Sequence, residues 1–292
     1  MQLSTFLYRN GILPPRPSPR ASVVTRKQSK SESDSVGAPI KIRVVLSRPL
    51  RVKAGQYINL WIPSVSLWSW VQTHPFMVTS WAPVEQDILE LFVQTRHGLT
   101  KRLHALAALE GSASFSTFIT GPHGSSEPVS QYESVLVIAS DFGIAGTVSY
   151  IKQLVYRYNT TTSQVLRVHL VWQVQTLDIA IAAQPFLNSL LDEDIPDDDT
   201  SHARERETSG KRRRQHVLEM SFYLQSKEDK KNEKLFGKHN RATVHRGMPN
   251  YEEIISAEVS GDHIAKLSST REERGEMLIM GEYIVMRNPY PR

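Results

Sequence analysis

Val135-Leu136-Val137-Ile138-Ala139 runs directly into Ser140-Asp141-Phe142-Gly143-Ile144-Ala145-Gly146-Thr147. Five consecutive apolar residues suit a strand buried on both faces, the kind found in parallel sheets covered by helices. The glycine turn after it, opening onto a helix expected over 144–158, lets a phosphate approach backbone. The spacing is not G-x-G-x-x-G, and Asp141 puts a negative charge where a phosphate would lie. Working toward the C-terminus, 165–174 reads as a second buried strand and 179–191 as a second helix. Strand–helix–strand–helix in this order predicts a parallel α/β sheet.

Toward the N-terminus the texture changes. Ile42, Val44 and Leu46 alternate with Lys41, Arg43 and Val45, as in a half-buried strand. Further short strands are expected over 57–62, 76–79, 88–95 and 115–119, with Gly and Pro between them. Short strands at this spacing indicate a small antiparallel barrel or sandwich. One helix interrupts them, expected over 99–109 between Gly98 and Gly111. The fold class expected is therefore α+β with two domains, an antiparallel β-barrel followed by a parallel α/β nucleotide-binding domain. Residues 40–128 form the first domain and 129–292 the second.

The flanks and one interior stretch read differently. Residues 1–39 hold Pro14, Pro15, Pro17 and Pro19, many serines, five basic residues between Arg9 and Lys27, and no acid before Glu32. A disordered basic tail is expected there; a transit peptide is the alternative. From about 192 to 240 an acid block (Asp192 to Asp199) and a basic block (Lys211 to Arg214) predict a solvated, charged insertion. Inside it, 217–224 is a single strand or helix. A short helix over 251–259 and an apolar strand over 276–286 close the chain.

The chain has 292 residues, 40% hydrophobic and 22% charged, enough for about two domains with real cores. No apolar run approaches the ~18 residues of a membrane span. The absence of cysteine excludes disulfides, thiolate metal sites, iron–sulfur clusters and cysteine nucleophiles. A net charge of +5 is mild for this length and does not imply nucleic acid.

Four constellations carry chemistry. His74-Pro75-Phe76-Met77-Val78-Thr79-Ser80 offers either an edge that receives a planar ring or a proline-kinked strand with a packed Phe. Arg96-His97-Gly98-Leu99-Thr100 opens a helix, either as an anion site or as an ordinary helix start. Gly121-Pro122-His123-Gly124 reads as an interdomain turn, and the fourth is the glycine turn after 135–139.

Taken in order, these pieces resemble the cytosolic reductase module of the fungal ferric reductase and NADPH oxidase families, of ferredoxin–NADP reductase type. The resemblance covers roughly 40–190 and 243–286. Ala54-Gly55-Gln56-Tyr57, the run 63–70 with His74-Pro75-Phe76, Gly98-Leu99-Thr100 with Leu103, Gly121-Pro122-His123-Gly124 and Val171-Trp172 carry it. It implies a barrel holding FAD and an α/β domain holding NADPH, with hydride passing from nicotinamide C4 to flavin N5. Electrons then leave singly, in the family to membrane haems and on to ferric iron or oxygen; no side-chain nucleophile is required. It implies that His74, Pro75, Phe76 and Ser80 line the flavin ring and ribityl chain. Leu99 and Thr100 would take its pyrophosphate, Gly143 and Ile144 the NADPH pyrophosphate, and Gly124 the nicotinamide side. Arg246 and Gly281 match later nucleotide motifs. It also implies a haem-containing membrane reductase subunit as partner and a cytoplasmic place at the inner face of a membrane.

The departures fall mostly on the nucleotide side. Ser140-Asp141 replace paired glycines, Gln175 replaces an Arg, Met248 stands in the Arg position of a Gly-Arg-Pro motif, and Met280-Gly281-Glu282 replace Cys-Gly-Pro. FAD binding is therefore expected to be more secure than NADPH binding. A catalytically impaired FAD-binding or interaction protein is the alternative.

Overall fold

The computed structural model describes residues 3–25, 37–65, 74–194, 216–225, 241–261 and 276–281. The chain divides into two compact units. One holds Met1–Pro128, Phe142–Gln153 and Thr176–Pro185; the other holds Val129–Asp141, Leu154–Gln175 and Phe186–Arg292.

The first unit is antiparallel. Its strands are β1 (Arg20–Val24), β2 (Pro39–Leu50), β3 (Tyr57–Trp61), β4 (Pro75–Met77), β5 (Gln86–Gln94), β6 (Ser112–Ser116) and β7 (Phe118–His123). They form two sheets, ordered β5-β2-β1-β6 and β4-β3-β7, with an isolated bridge from Val78 to Leu91. On β2 the alternation is literal: Ile40, Ile42 and Val44 are essentially unexposed. They meet Ile58 and Leu60 of β3 and Leu89 and Leu91 of β5 in one core. Helix α2 (Leu99–Glu110) plugs it with Leu99, Leu103 and Ala107, a four-residue spacing that keeps all three on one face. Gly111 ends that helix in the left-handed conformation at φ 82°, where a side chain would be strained.

Three expectations change here. First, residues 3–25 are not a tail. Helix α1 (Leu3–Arg9) leads to Asn10, whose amide donates to the Ile119 carbonyl at 3.0 Å while its oxygen accepts from the Ile119 N–H at 2.8 Å. Arg48 lies 4.0 Å over the Tyr8 ring. β1 then enters the sheet between β2 and β6, with Ala21 and Val23 fully buried. A five-residue strand of small residues beside prolines gives too little periodic signal to stand out from a basic tail. Second, 115–119 is two strands. Thr117 separates them because its N–H turns to the Pro19 carbonyl and its hydroxyl to that of Trp61. Third, Gly121, Pro122 and His123 continue β7 instead of forming a turn, with His123 paired to Tyr57.

The second unit contains a five-stranded parallel sheet in the order β11-β10-β9-β8-β12. Its strands are β8 (Ser134–Ser140), β9 (Arg167–Val174), β10 (Leu218–Leu224), β11 (Ala242–Arg246) and β12 (Met277–Gly281). The helices between them are α3 (Ile144–Asn159), α4 (Leu177–Glu193) and α5 (Tyr251–Ser260). Val135, Leu136, Val137, Leu170, Val171 and Trp172 are all unexposed, as a two-faced burial demands.

Within the charged stretch the strand reading of 217–224 holds, and the solvated reading of Asp194 is corrected. The 217–224 portion is β10, paired on both sides inside the sheet. Asp194, read as part of a solvated acid block, is 1% exposed. Its carboxylate accepts from the Val217 and Leu218 N–H groups and from Arg241, so it pins the start of β10. The basic block 211–214, Trp68-Ser69-Trp70 and the chain beyond 281 lie outside the described residues.

Candidate functional site

The flavin-type motif sits on β4 and the loop after it. β4 pairs with β3, placing Phe76 opposite Ile58. Phe76 is 8% exposed and its ring belongs to the core, so it holds the strand from inside. Pro75 is exposed. The His74 carbonyl accepts from the Leu60 N–H at 3.2 Å, and burial lowers the pKa of its imidazole, favouring the neutral ring. Thr79 donates its hydroxyl to the Glu90 carbonyl, and the Ser80 hydroxyl oxygen accepts from the Glu90 N–H. Ser80 thus keeps its own O–H free to donate.

The helix-start motif is open. Gly98 precedes α2 at φ 71°, and no side chain caps the helix. Among the described residues, a Cβ on Gly98 would meet nothing within 4 Å. The first N–H groups of α2 therefore have no side-chain partner among the described residues, at the end where the helix dipole favours an anion. Thr100 accepts from the Arg96 N–H at 2.8 Å, which folds the Arg96 loop back over the helix start. Leu99 is 3% exposed and anchors the turn in the core. Trp61 Nε1 and Thr95 Oγ1, both buried in this unit, have no hydrogen-bond partner among the described residues.

Gly124 follows β7, and its carbonyl accepts from Gln56 Nε2 at 2.9 Å. Gly55 shows why the Ala54-Gly55-Gln56-Tyr57 motif tolerates no side chain: at φ 79°, a Cβ would overlap the Tyr150 ring. The Gly55 N–H donates to Ser149 Oγ at 3.0 Å.

On the nucleotide side, Asp141 ends β8 in a left-handed backbone at φ 41°. Its carbonyl accepts from Trp172 Nε1 at 2.9 Å and its carboxylate from the Gln175 N–H at 2.8 Å. Burial raises the Asp141 pKa, and the Gln175 hydrogen bond only partly opposes this. Gly143 and Ile144 follow, both buried, as the chain turns into α3. β8 and β12 adjoin where the strand order reverses, the switch point of such sheets, and Gly281 ends β12 with open space around it. Arg246 ends β11, at the opposite edge from Gly281. Four strand spacings, roughly 19 Å, separate the two. Near Arg246, His245 stacks on Tyr223 at 4.7 Å and Tyr251 donates to Gln173, a flat aromatic ledge the sequence reading missed. Its signal was the Tyr and His on neighbouring parallel strands, invisible until their register is known.

A second missed group is a buried hydrogen-bond chain. Glu258 on α5 accepts from Arg167 through Nε and Nη2, and from His169 Nδ1 at 2.7 Å. His169 Nε2 lies 2.9 Å from Ser221 Oγ. Burial pushes the Glu258 carboxyl up, but bonds from His169 and Arg167 and the Arg167 charge outweigh it and hold it at about 2. An ionised carboxylate only accepts, so Nδ1 carries a proton toward it, while Nε2 lies within hydrogen-bond distance of the serine. The order resembles a hydrolase triad. The bidentate arginine and burial of all three residues make it a fastening for α5 instead.

The family model described as an FAD-binding domain matches residues 37–127, and the one described as a ferric reductase NAD binding domain matches 132–270. Ferric reductase transmembrane component 3 of Saccharomyces cerevisiae is 30% identical over 168 residues, 56% of this chain and 23% of that protein. Ferric reduction oxidase 5 of Arabidopsis thaliana is 29% identical over 114 residues, 38% of this chain and 15% of that protein. NADPH oxidase 1 of Rattus norvegicus is 30% identical over 105 residues, 36% and 18% respectively. The chain spans less than a quarter of the length of these relatives. Among the described residues no helix is long and apolar enough to cross a membrane. The solved CS-b5R domains of human Ncb5or align with a TM-score of 0.48 at 13% identity, covering 90% of this chain and 61% of that one. The chain thus carries an FAD-binding and a nicotinamide-nucleotide-binding domain, and the start of α2 fits the first: open amides and space where a pyrophosphate would lie.

Proposed function

We propose that this chain, which belongs to the ferric reductase family through its paired FAD- and NAD-binding domains, passes electrons from NADPH to a metal acceptor such as a ferric chelate. The uncapped start of α2 inside the FAD-binding match is the observation that carries this reading. Bound FAD would supply the hydride acceptance and one-electron release. The chain's own part is orientation and charge. The amides of Leu99 and Thr100 hold the flavin pyrophosphate, with Gly98 leaving room. His74 and Pro75 with the Ser80 hydroxyl line the ring and ribityl chain, and Phe76 fixes their strand from the core. Gly124 borders the nicotinamide, Gly143 and Ile144 its pyrophosphate, and Arg246 and Gly281 the rest of the nucleotide. We assign 40–128 to the flavin and 129–292 to the nucleotide. The partner this reading calls for is a haem-containing membrane reductase subunit, with the chain at the inner membrane face.

The Asp141 carboxylate favours a second reading, an FAD-binding protein with impaired NADPH turnover. A visible spectrum of the purified chain, then anaerobic NADPH, separates the two. Flavin bands that bleach support a working reductase. Bands that persist support the impaired form, and a colourless folded protein overturns both. Gly98→Val, which adds a β-branched side chain at positive φ, is expected to abolish the flavin bands while leaving the circular dichroism spectrum intact.

A further inference from the structure

We propose that the first unit carries a separate small-molecule site, an apolar cavity lined by Val24, Pro39, Lys41, His104 and Ile181 that binds a small monocarboxylate with a hydrocarbon or aryl body. This goes beyond the electron-transfer reading and requires neither FAD nor NADPH. None of the residues proposed above for those cofactors lines the cavity.

The cavity measures about 260 Å³ and is walled by the end of β1, the start of β2, α2 and the first half of α4. All of its lining residues belong to the first unit. The volume falls just under the ~300–1,000 Å³ of sites for drug-sized ligands, so the occupant is small. The walls are mostly hydrocarbon, with Ala182 at the α4 side. Two polar groups stand out. His104 is 5% exposed, and neither it nor Lys41 has a hydrogen bond or ion pair among the described residues. Asp178, which also reaches the cavity, is already engaged. Leaving a buried imidazole unpaired is costly, as is half-burying an ammonium without a bonded partner. Burial lowers the pKa of both groups, and Glu90 only partly restores that of Lys41. Lys41 has only donors, and the neutral His104 ring can offer an N–H. One carboxylate satisfies both at once, and its apolar tail replaces water against Val24, Pro39 and Ile181.

The test is isothermal titration of the full chain with octanoate as probe and octanol as the neutral control. One-to-one octanoate binding is expected, weakened at least about tenfold in Lys41→Met, the loss of one charge-assisted hydrogen bond. Ala182→Phe, which fills the cavity, is expected to abolish it. The His104 ring protons of the unmodified chain should shift in NMR spectra on octanoate addition, a readout that needs no variant. No binding, an unmoved His104 signal, binding unchanged in both variants, or octanol binding as tightly as octanoate overturns the proposal. Flavin absorbance is followed in parallel; its loss would speak against the reductase reading and not against this site.

Discussion

Asp141 holds a backbone conformation that glycine adopts freely. For most L-residues the left-handed region costs roughly 1–2 kcal/mol, with Asp and Asn the most tolerant because their side chains bond locally. The Asp141 carboxylate bonds farther off, accepting from the Gln175 N–H, and so ties the turn after β8 to the end of β9. The sequence alone shows a lost glycine; the structure shows the glycine geometry retained with a charge added. Asp141→Asn keeps the acceptor and the backbone tolerance but removes the charge. It is expected to tighten NADPH binding roughly tenfold, measured by anaerobic titration, since a unit charge a few ångströms from a phosphate is worth about 1–4 kcal/mol between water and a protein surface. An unchanged dissociation constant would mean that the carboxylate does not face the nucleotide. His104 and Phe76 teach the same limit from the other side. Their residue types were plain in the sequence, but which way each ring points depends on neighbours dozens of residues away. A buried neutral histidine also has a pH signature. The folded pKa of His104 is depressed, so its contribution is present above the unfolded value near 6.5 and is lost as pH falls below it. His104→Gln should flatten the decline of melting temperature as pH falls below 6.5.

At the scale of the element, β10 shows how polar residues blur a strand's signal, and α5 how they fasten a helix to it. A central parallel strand normally reads as an apolar run. Here Leu218, Met220 and Phe222 alternate with Glu219 and Ser221, because the latter two meet Arg167 and His169 in the buried network. Between charged stretches, 217–224 therefore reads as a strand or a helix, and only its pairing with β9 and β11 decides which. By contrast β8 and β9, apolar on both faces, were legible with nearly correct bounds. Removing Glu258 would take away the partner of His169 Nδ1 and leave Arg167 with Glu219 alone. Glu258→Ala is therefore expected to cost about 3–5 kcal/mol in denaturant melts, the range for breaking a buried ion pair. The carboxyl is depressed from 4.5 to about 2, so its contribution is full above pH 4.5 and disappears as pH falls toward 2. Acid titration of the Glu258→Ala variant should lack that part of the stability loss.

For the whole molecule, the two-domain plan and its order were readable because hydrophobic period changes from two to continuous near residue 130. The N-terminal strand was not, because its evidence lies in its partners and not in itself. β1 links β6 to the rest of its sheet, and among the described residues β6 has no other strand neighbour. Deleting residues 1–25 should therefore strip the first unit of cooperative unfolding and of its near-ultraviolet circular dichroism. A mere tail would leave both unchanged.

That same arrangement sets a clock on synthesis. β1 is made well before its far partner β6, which follows about 90 residues later. At roughly 5–20 residues per second, the ribosome takes on the order of 5–20 s to deliver it. Through that interval one edge of β1 is unpaired, so a nascent chain paused before residue 112 should be the species that recruits chaperones or aggregates.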